Sequence, residues 1–294
     1  MSIVERALKR AQASKGDKTA SPQVPPHEAA SAAAGHSRPP AEPLNLSSSN
    51  LVKMPEEFLH QQDGATGDSQ RAVTRQIRAL KRALVSRLEA SKNALRNVVM
   101  VTSSVPGEGK TFMSFNLALS LAQERDLNVT LVDGDVVKRT ASHKVNAEHL
   151  PGLREWLESD RMPLNSYLCR TNVPNLSFLP AGQPLPGAAE LMASARMDSG
   201  LQRVAALGLG HIFIIDSPPV LATAEAISLM TKLHHALLVC RAGVTPQSAF
   251  VTALETLEKV PDVSIVLNGY SPPSFDEYYD YAADYNAQSP VNHK

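Results

Sequence analysis

The sequence predicts an α/β fold in which a mostly parallel sheet is covered by helices on both faces. Three observations support this. Six apolar, β-rich runs, VVMVT (98–102), VTLV (129–132), LSFL (176–179), HIFIID (211–216), ALLVC (236–240) and SIVLN (264–268), alternate with helical stretches, the pattern of parallel strands joined by crossover helices. The runs are nearly unbroken in hydrophobicity, as strands buried on both faces are. The first run leads into a glycine-bearing turn that ends Lys110-Thr111, a strand–turn–helix junction suited to phosphate.

In chain order, residues 3–11 place Ile3, Val4, Ala7, Leu8 and Ala11 on one helical face, opposite Glu5, Arg6, Lys9 and Arg10. An amphipathic helix this short is not stable alone, so residues 1–12 read as a docking element, either onto a partner or back onto the chain's own domain. Residues 13–66 read as a disordered linker, because SPQVPPHEAASAAAGHSRPPAEP buries too little apolar surface to offset chain entropy. The folded domain is expected over 67–270. It opens with a helix over 71–96, in which Val73, Ile77, Leu80, Leu84 and Leu88 recur at spacings of three and four, with Arg75, Arg78, Lys81, Arg82 and Arg87 between them. Its basic outer face is either solvated or a contact to another subunit. The six strands follow. Residues 271–294 read as a flexible, Pro-broken acidic tail, and four of the chain's six tyrosines, Tyr278, Tyr279, Tyr281 and Tyr285, cluster there.

With 29 basic and 29 acidic residues the chain has no global field to attract nucleic acid or an anionic membrane. Cys169 and Cys240 stand far apart without metal-ligand spacing, which fits a reducing cytoplasm and excludes a disulfide framework or zinc site. No apolar run is long enough to span a bilayer, and MSIVERALKR lacks the apolar core of a signal peptide, so membrane attachment is expected only through a partner.

Ser104-Val-Pro-Gly-Glu-Gly109-Lys110-Thr111 matches G-x-x-x-x-G-K-[ST] except for serine in place of the first glycine. Pro106, Gly107, Glu108, Gly109, Lys110, Thr111 and Phe112 are therefore the expected nucleotide-contacting residues. The turning backbone and the helix start present N–H groups to phosphate, Lys110 reaches the β/γ-phosphates and Thr111 ligates Mg²⁺. Asp133 and Asp135 lie at the carboxyl end of the next run, and Asp216 ends a third. Open α/β sheets bind ligands at that edge, so the three carboxylates and Thr111 are expected to converge on Mg²⁺ and the attacking group. His143, His149, His211, His234 and His235 show no metal-ligand spacing and are assigned surface or capping roles, and Trp156 a core role.

SSVPGEGKT, LVDGD, HIFIIDSPPVL and the tyrosine cluster resemble, in that order, the Walker A, Walker A′ and Walker B motifs and the C-terminal tail of the bacterial tyrosine kinases of capsule and exopolysaccharide export. LPAGQPLPGAAELM (179–192), LLVCRAGVTPQSA (237–249) and VLNGY (266–270) are smaller echoes, and together these cover about 75–285. The start MSIVERALKR with its long linker is similar to the exosortase-associated subgroup. The resemblance implies a deviant-Walker (SIMIBI) P-loop NTPase fold and ATP-dependent autophosphorylation of the tail tyrosines. It implies that Asp133 orients or deprotonates the attacking hydroxyl, that Asp135 and Asp216 hold Mg²⁺, and that Asn268 contacts adenine. As partners it implies a membrane-integral chain-length-determinant protein, whose cytosolic tail activates the kinase, and other copies of the chain, met through the 71–96 helix and the tail. The location implied is cytoplasmic, peripheral to the inner membrane. Two departures stand out. Val137 replaces a usual arginine, which shifts phosphate-side charge to Lys138-Arg139, and Arg75, Arg78 and Lys81 fill an oligomerisation pattern that normally begins with glutamate.

Two other readings share these motifs. Cell-division and plasmid-partition ATPases carry an extra lysine early in the phosphate loop, where this chain has Val105, and give no reason for a tyrosine cluster. A nucleotide-binding scaffold that sets polysaccharide chain length would need none of the intact carboxylates.

Overall fold

The computed structural model describes residues 50–59, 68–159, 162–184 and 187–270. The helix expected at 3–11, most of the linker and the tail tyrosines lie outside them. Every described residue belongs to one compact unit.

The apolar runs become strands of a single eight-stranded sheet. In chain order these are β1 (Leu51–Val52), β2 (Val98–Ser103), β3 (Asn128–Asp133), β4 (Cys169–Thr171), β5 (Leu176–Leu179), β6 (His211–Asp216), β7 (His235–Arg241) and β8 (Asp262–Asn268). Across the sheet the order is β1-β4-β5-β3-β6-β2-β7-β8. Neighbours pair in parallel except β4 with β5. The fold is thus the α/β, mostly parallel P-loop architecture expected.

Strand alternation sends successive side chains to opposite faces. Val99, Val101, Leu131, Ile214 and Leu237 join one core, and Val98, Met100, Val132, Ile215 and Leu238 the other. The first core is covered by α1 (Glu56–Leu59), α2 (Asp68–Ala90) and α3 (Lys110–Leu121), through Phe58, Leu84, Leu88 and Phe115. The second is covered by α5 (Leu153–Glu158), α6 (Ala188–Ala193), α7 (Ala195–Ala205), α8 (Ala224–Met230) and α9 (Gln247–Thr256). Between these groups the short α4 (Thr140–Lys144) follows β3. Trp156 is buried with Arg203 over its ring at 4.5 Å, the core role expected of it.

Three expectations change. Residues 50–59, assigned to the linker, are ordered: β1 adds to β4, the Asn172 side chain accepts from Met54 N at 2.8 Å, and Phe58 is buried under α3. Three buried apolar side chains, Val52, Met54 and Phe58, together with the pairing to β4, offset the chain entropy of this stretch. Helix α2 ends at Ala90 rather than 96, because Asn93 Oδ1 accepts from Leu95 N at 2.8 Å and Ser91 Oγ from Asn93 N at 3.3 Å, bonds that compete with helix. His211 and His235 are buried, not superficial. His211 Nε2 pairs with Thr130 Oγ1 at 2.8 Å, and His235 Nδ1 with Asp262 at 2.8 Å.

Candidate functional site

Strands β3, β6 and β2 are adjacent, so their carboxyl ends deliver three motif segments to one place. Asp133 stands in register with Asp216, and Val101 on the other side of Asp216. The phosphate loop spans the gap from β2 to α3. Gly107 (φ 88°) and Gly109 (φ 96°) take the left-handed conformation that glycine alone adopts freely. Ser104 does not: among the described non-glycine residues only Arg139, Asn146 and Asn175 have positive φ. The missing first glycine therefore costs the loop no strain.

The back of the loop is bonded to the sheet. Glu108 is fully buried. Its Oε2 accepts from Val105 N at 2.9 Å and its Oε1 from the Thr245 hydroxyl. Asn268 Nδ2 donates to Glu108 O at 2.9 Å, and a methyl group on Gly109 would fall against that amide. Arg241 donates to Gly107 O at 3.3 Å. The Glu108 side chain thus braces the loop from behind.

The three carboxylates have unlike surroundings. Asp133 is fully buried, with Oδ2 accepting from both Ser142 N and Ser142 Oγ at 2.7 Å, and Oδ1 accepting a longer 3.2 Å bond from Asp135 N. Burial first, then the neighbouring charge of Asp216, pushes its pKa up from 3.8 to about 7 despite the Ser142 bonds. Asp216 accepts from Thr111 Oγ1 at 2.7 Å and Ser114 Oγ at 3.1 Å. Burial raises its pKa too, against the opposing pull of Lys110. Asp135, also buried, accepts from Lys138 N at 2.9 Å.

A cleft of about 360 Å³ opens over the loop, lined by Pro106, Gly107, Gly109, Lys110, Thr111, Phe112 and Asp135 of the expected site. Glu108, Asp133, Asp216 and Asn268 do not line it. The three carboxylates and Thr111 stand together at this edge, Thr111 bonded to Asp216 and Asp133 beside it in register, but protein donors engage Asp133 and Asp216 and only Thr111 and Asp135 face the cleft; no three His, Cys, Asp or Glu side chains among the described residues form a ready-made metal cage. A cation such as Mg²⁺, which keeps several waters and phosphate oxygens, fits Thr111 and Asp135 without such a cage. Lys138 lines the cleft as the Val137 substitution led one to expect, whereas Arg139 turns away and donates to Glu148 O at 3.0 Å. Thr140, Lys144 and Pro219 also line it, as sequence reasoning did not foresee. Lys144 lies eleven residues past Asp133, and no motif spacing marks it. With Lys110, Lys138 and Lys144 against Asp135, the cleft is cationic and fits a polyphosphate.

No protein-family model matches the chain. It is 29% identical over 195 residues to the tyrosine-protein kinase ptk of Acinetobacter johnsonii, covering 66% of this chain but 25% of that protein. The chain thus spans about a quarter of the length of the first curated relatives it matches. The kinase domain of the Escherichia coli tyrosine kinase ETK superposes with a TM-score of 0.61 at 25% identity, covering 78% of this chain and 92% of that domain. The tyrosine-protein kinase YwqD of Bacillus subtilis is 30% identical over 200 residues, 67% of this chain and 82% of its own length. A match that extensive, with a kinase domain of the same architecture, shows that the chain belongs to the bacterial tyrosine-protein kinase family.

Proposed function

We propose that the chain is an ATP-dependent protein-tyrosine autokinase that phosphorylates its own tail at Tyr278, Tyr279, Tyr281 and Tyr285, and thereby regulates exopolysaccharide polymerisation and export. One observation carries this reading: the loop with Lys110, the Asp133/Asp135 pair and Asp216 leave three neighbouring parallel strands at one sheet edge. The phenol oxygen bonds to the γ-phosphorus as the bond from that phosphorus to the β–γ bridging oxygen breaks, and ADP leaves. The loop backbone and Lys110 bind the phosphates, and Lys138 adds charge at the cleft wall. Asp133 orients the phenol and takes its proton, directly or through water; a carboxyl with a pKa near 7 accepts a proton and releases it again at neutral pH. In a loose transition state, placement and charge neutralisation outweigh the base. Thr111, Asp135 and Asp216 would hold Mg²⁺, directly or through water, and the ion would neutralise charge developing on the phosphates. Asn268, bonded to the loop through Nδ2, has its Oδ1 to offer adenine.

Two partners belong to this reading. One is a membrane-integral chain-length-determinant protein whose cytosolic tail completes the nucleotide site and holds the kinase at the inner membrane. No helix among the described residues is long and apolar enough to cross a membrane. The other is a further copy of the chain, reached through the exposed Arg75, Arg78 and Arg82 on α2 and through the tail. The test is intact mass and phosphotyrosine on protein incubated with Mg-ATP, with and without the activator tail, beside Lys110→Met and a variant with all four tail tyrosines changed to phenylalanine. Phosphate that needs both Lys110 and the tail supports the proposal. ATP hydrolysis without phosphotyrosine, even with activator, overturns it in favour of a partition-type ATPase or scaffold.

A further inference from the structure

Lys144 has two possible partners. It lines the cleft over the phosphate loop with Lys110 and Lys138. Its ammonium lies 2.9 Å from Glu57 Oε1, and 5.5 Å above the ring of Phe58. Glu57 belongs to α1, which the rest of segment 50–59 holds firmly in place. Phe58 is 2% exposed and stacks on Phe115 of α3 at 4.7 Å and 9°, with Phe112 at 5.9 Å. At the other end of the segment β1 is paired to β4. A carboxylate is therefore fixed at the rim of the cleft by an aromatic anchor that packs on the phosphate-loop helix itself.

The pair is partly open to water, with Lys144 38% and Glu57 60% exposed. Exposed pairs of this kind contribute little, because solvent screens them and ordering the side chains offsets the attraction. A polyphosphate carries several charges and accepts charge-assisted hydrogen bonds about twice as strong as neutral ones, so it would outcompete a single carboxylate for the same ammonium. Neither Glu57 nor Lys144 has any part in the phosphate-loop motif.

We propose that Lys144 is a phosphate-recognition residue of the nucleotide cleft and that Glu57, anchored by Phe58, holds it when no nucleotide is bound. This rests on the nucleotide-binding half of the proposed function and not on phosphoryl transfer. Because the segment that carries Glu57 continues the Pro/Ala/Ser-rich tract, the exchange ties the state of the cleft to the point where that tract meets the domain.

A double-mutant cycle on the full chain tests it, reading the dissociation constant of a fluorescent, non-hydrolysable ATP analogue with Mg²⁺. Lys144→Met should weaken binding about 5- to 10-fold, Lys144→Arg should restore it, and Glu57→Gln should tighten it about 2- to 3-fold, in line with one charge-assisted contact and one competing exposed pair. Glu57→Gln should then have no effect in the Lys144→Met background. Matching thermal midpoints across the set exclude a folding defect. The proposal fails if Lys144→Met binds like the parent, if Glu57→Gln leaves affinity unchanged, if its effect persists without Lys144, or if the parent binds no nucleotide. The full pattern in a protein that forms no phosphotyrosine would sink the kinase reading and leave this assignment standing.

Discussion

At the scale of single residues, the unusual group is Asp133. Its folded pKa, about 7, is raised above the ordinary 3.8, chiefly by burial. The folded state therefore favours the protonated form, and the stability it contributes is complete below pH 3.8 and is lost as pH rises to about 7. In metal-free protein, Asp133→Asn should remove that loss. The variant should be more stable than the parent at pH 8 by up to about 4 kcal/mol, following 1.36 kcal/mol per pKa unit, with the gap closing near pH 4. Urea unfolding across that range measures it, and parallel pH profiles for the two proteins would refute the shift. Phosphotyrosine formation should drop on the order of 100-fold or more, as for loss of a positioned proton acceptor. Ser142→Ala acts on the same carboxylate from the other side. Ser142 Oγ donates to Asp133 and accepts from Ala181 N at 3.0 Å, so its loss should cost about 1–3 kcal/mol through buried groups left unpaired. A smaller cost, seen by denaturant titration, would mean that water replaces the hydroxyl.

At the scale of elements, segment 50–59 invites a prediction because it is too short to hold itself. Phe→Ala in a core typically costs about 3–5 kcal/mol, but in Phe58→Ala most of that cost should fall on the segment. Backbone hydrogen exchange over 51–59 should speed by about 10-fold or more, while α3 beneath it keeps its protection. If α3 loosens equally, Phe58 is part of the global core. The same segment shows what was legible in the sequence. Strands β2, β3, β5, β6, β7 and β8 were foreseen because each carries at least three apolar residues within a short, β-rich stretch. Strands β1 and β4, two and three residues long with Leu51 and Arg170 exposed, carry no such signal and exist only by pairing with each other and with β5. At the site, spacing identified Lys110, Thr111 and the three aspartates, since a motif specifies a backbone path. Which oxygen meets which donor depends on distant residues such as Ser142 and Thr245, and no local pattern announces them. The burial of His211 was equally hidden, because it depends on Thr130 in a neighbouring strand.

At the scale of the whole molecule, α2 places its charges unevenly. Ile77, Leu84 and Leu88 are buried on the sheet; Lys81 pairs with Glu124 and Arg87 with Asp262. Arg75, Arg78 and Arg82 are exposed and meet no acidic partner among the described residues. They stand three and four apart, which puts them on one face of the helix, over about 10 Å of its length. A row of like charges is repulsive unless something negative meets it, and the tail sequence DEYYDY has acidic residues among its tyrosines, to which phosphorylation would add close to two negative charges each. Contact between copies through this row should therefore be electrostatic. Reversing Arg75 and Arg78 to glutamate together should leave folding intact, since neither is buried, but lower the apparent mass in light scattering. Tail phosphorylation should fall with it, more at low protein concentration than at high if transfer passes between copies. The parent's assembly should weaken with salt over a range near 0.1 M, where the Debye length is about 10 Å. If the reversed variant assembles and phosphorylates as the parent does, the row is a solvated face and the copies meet elsewhere.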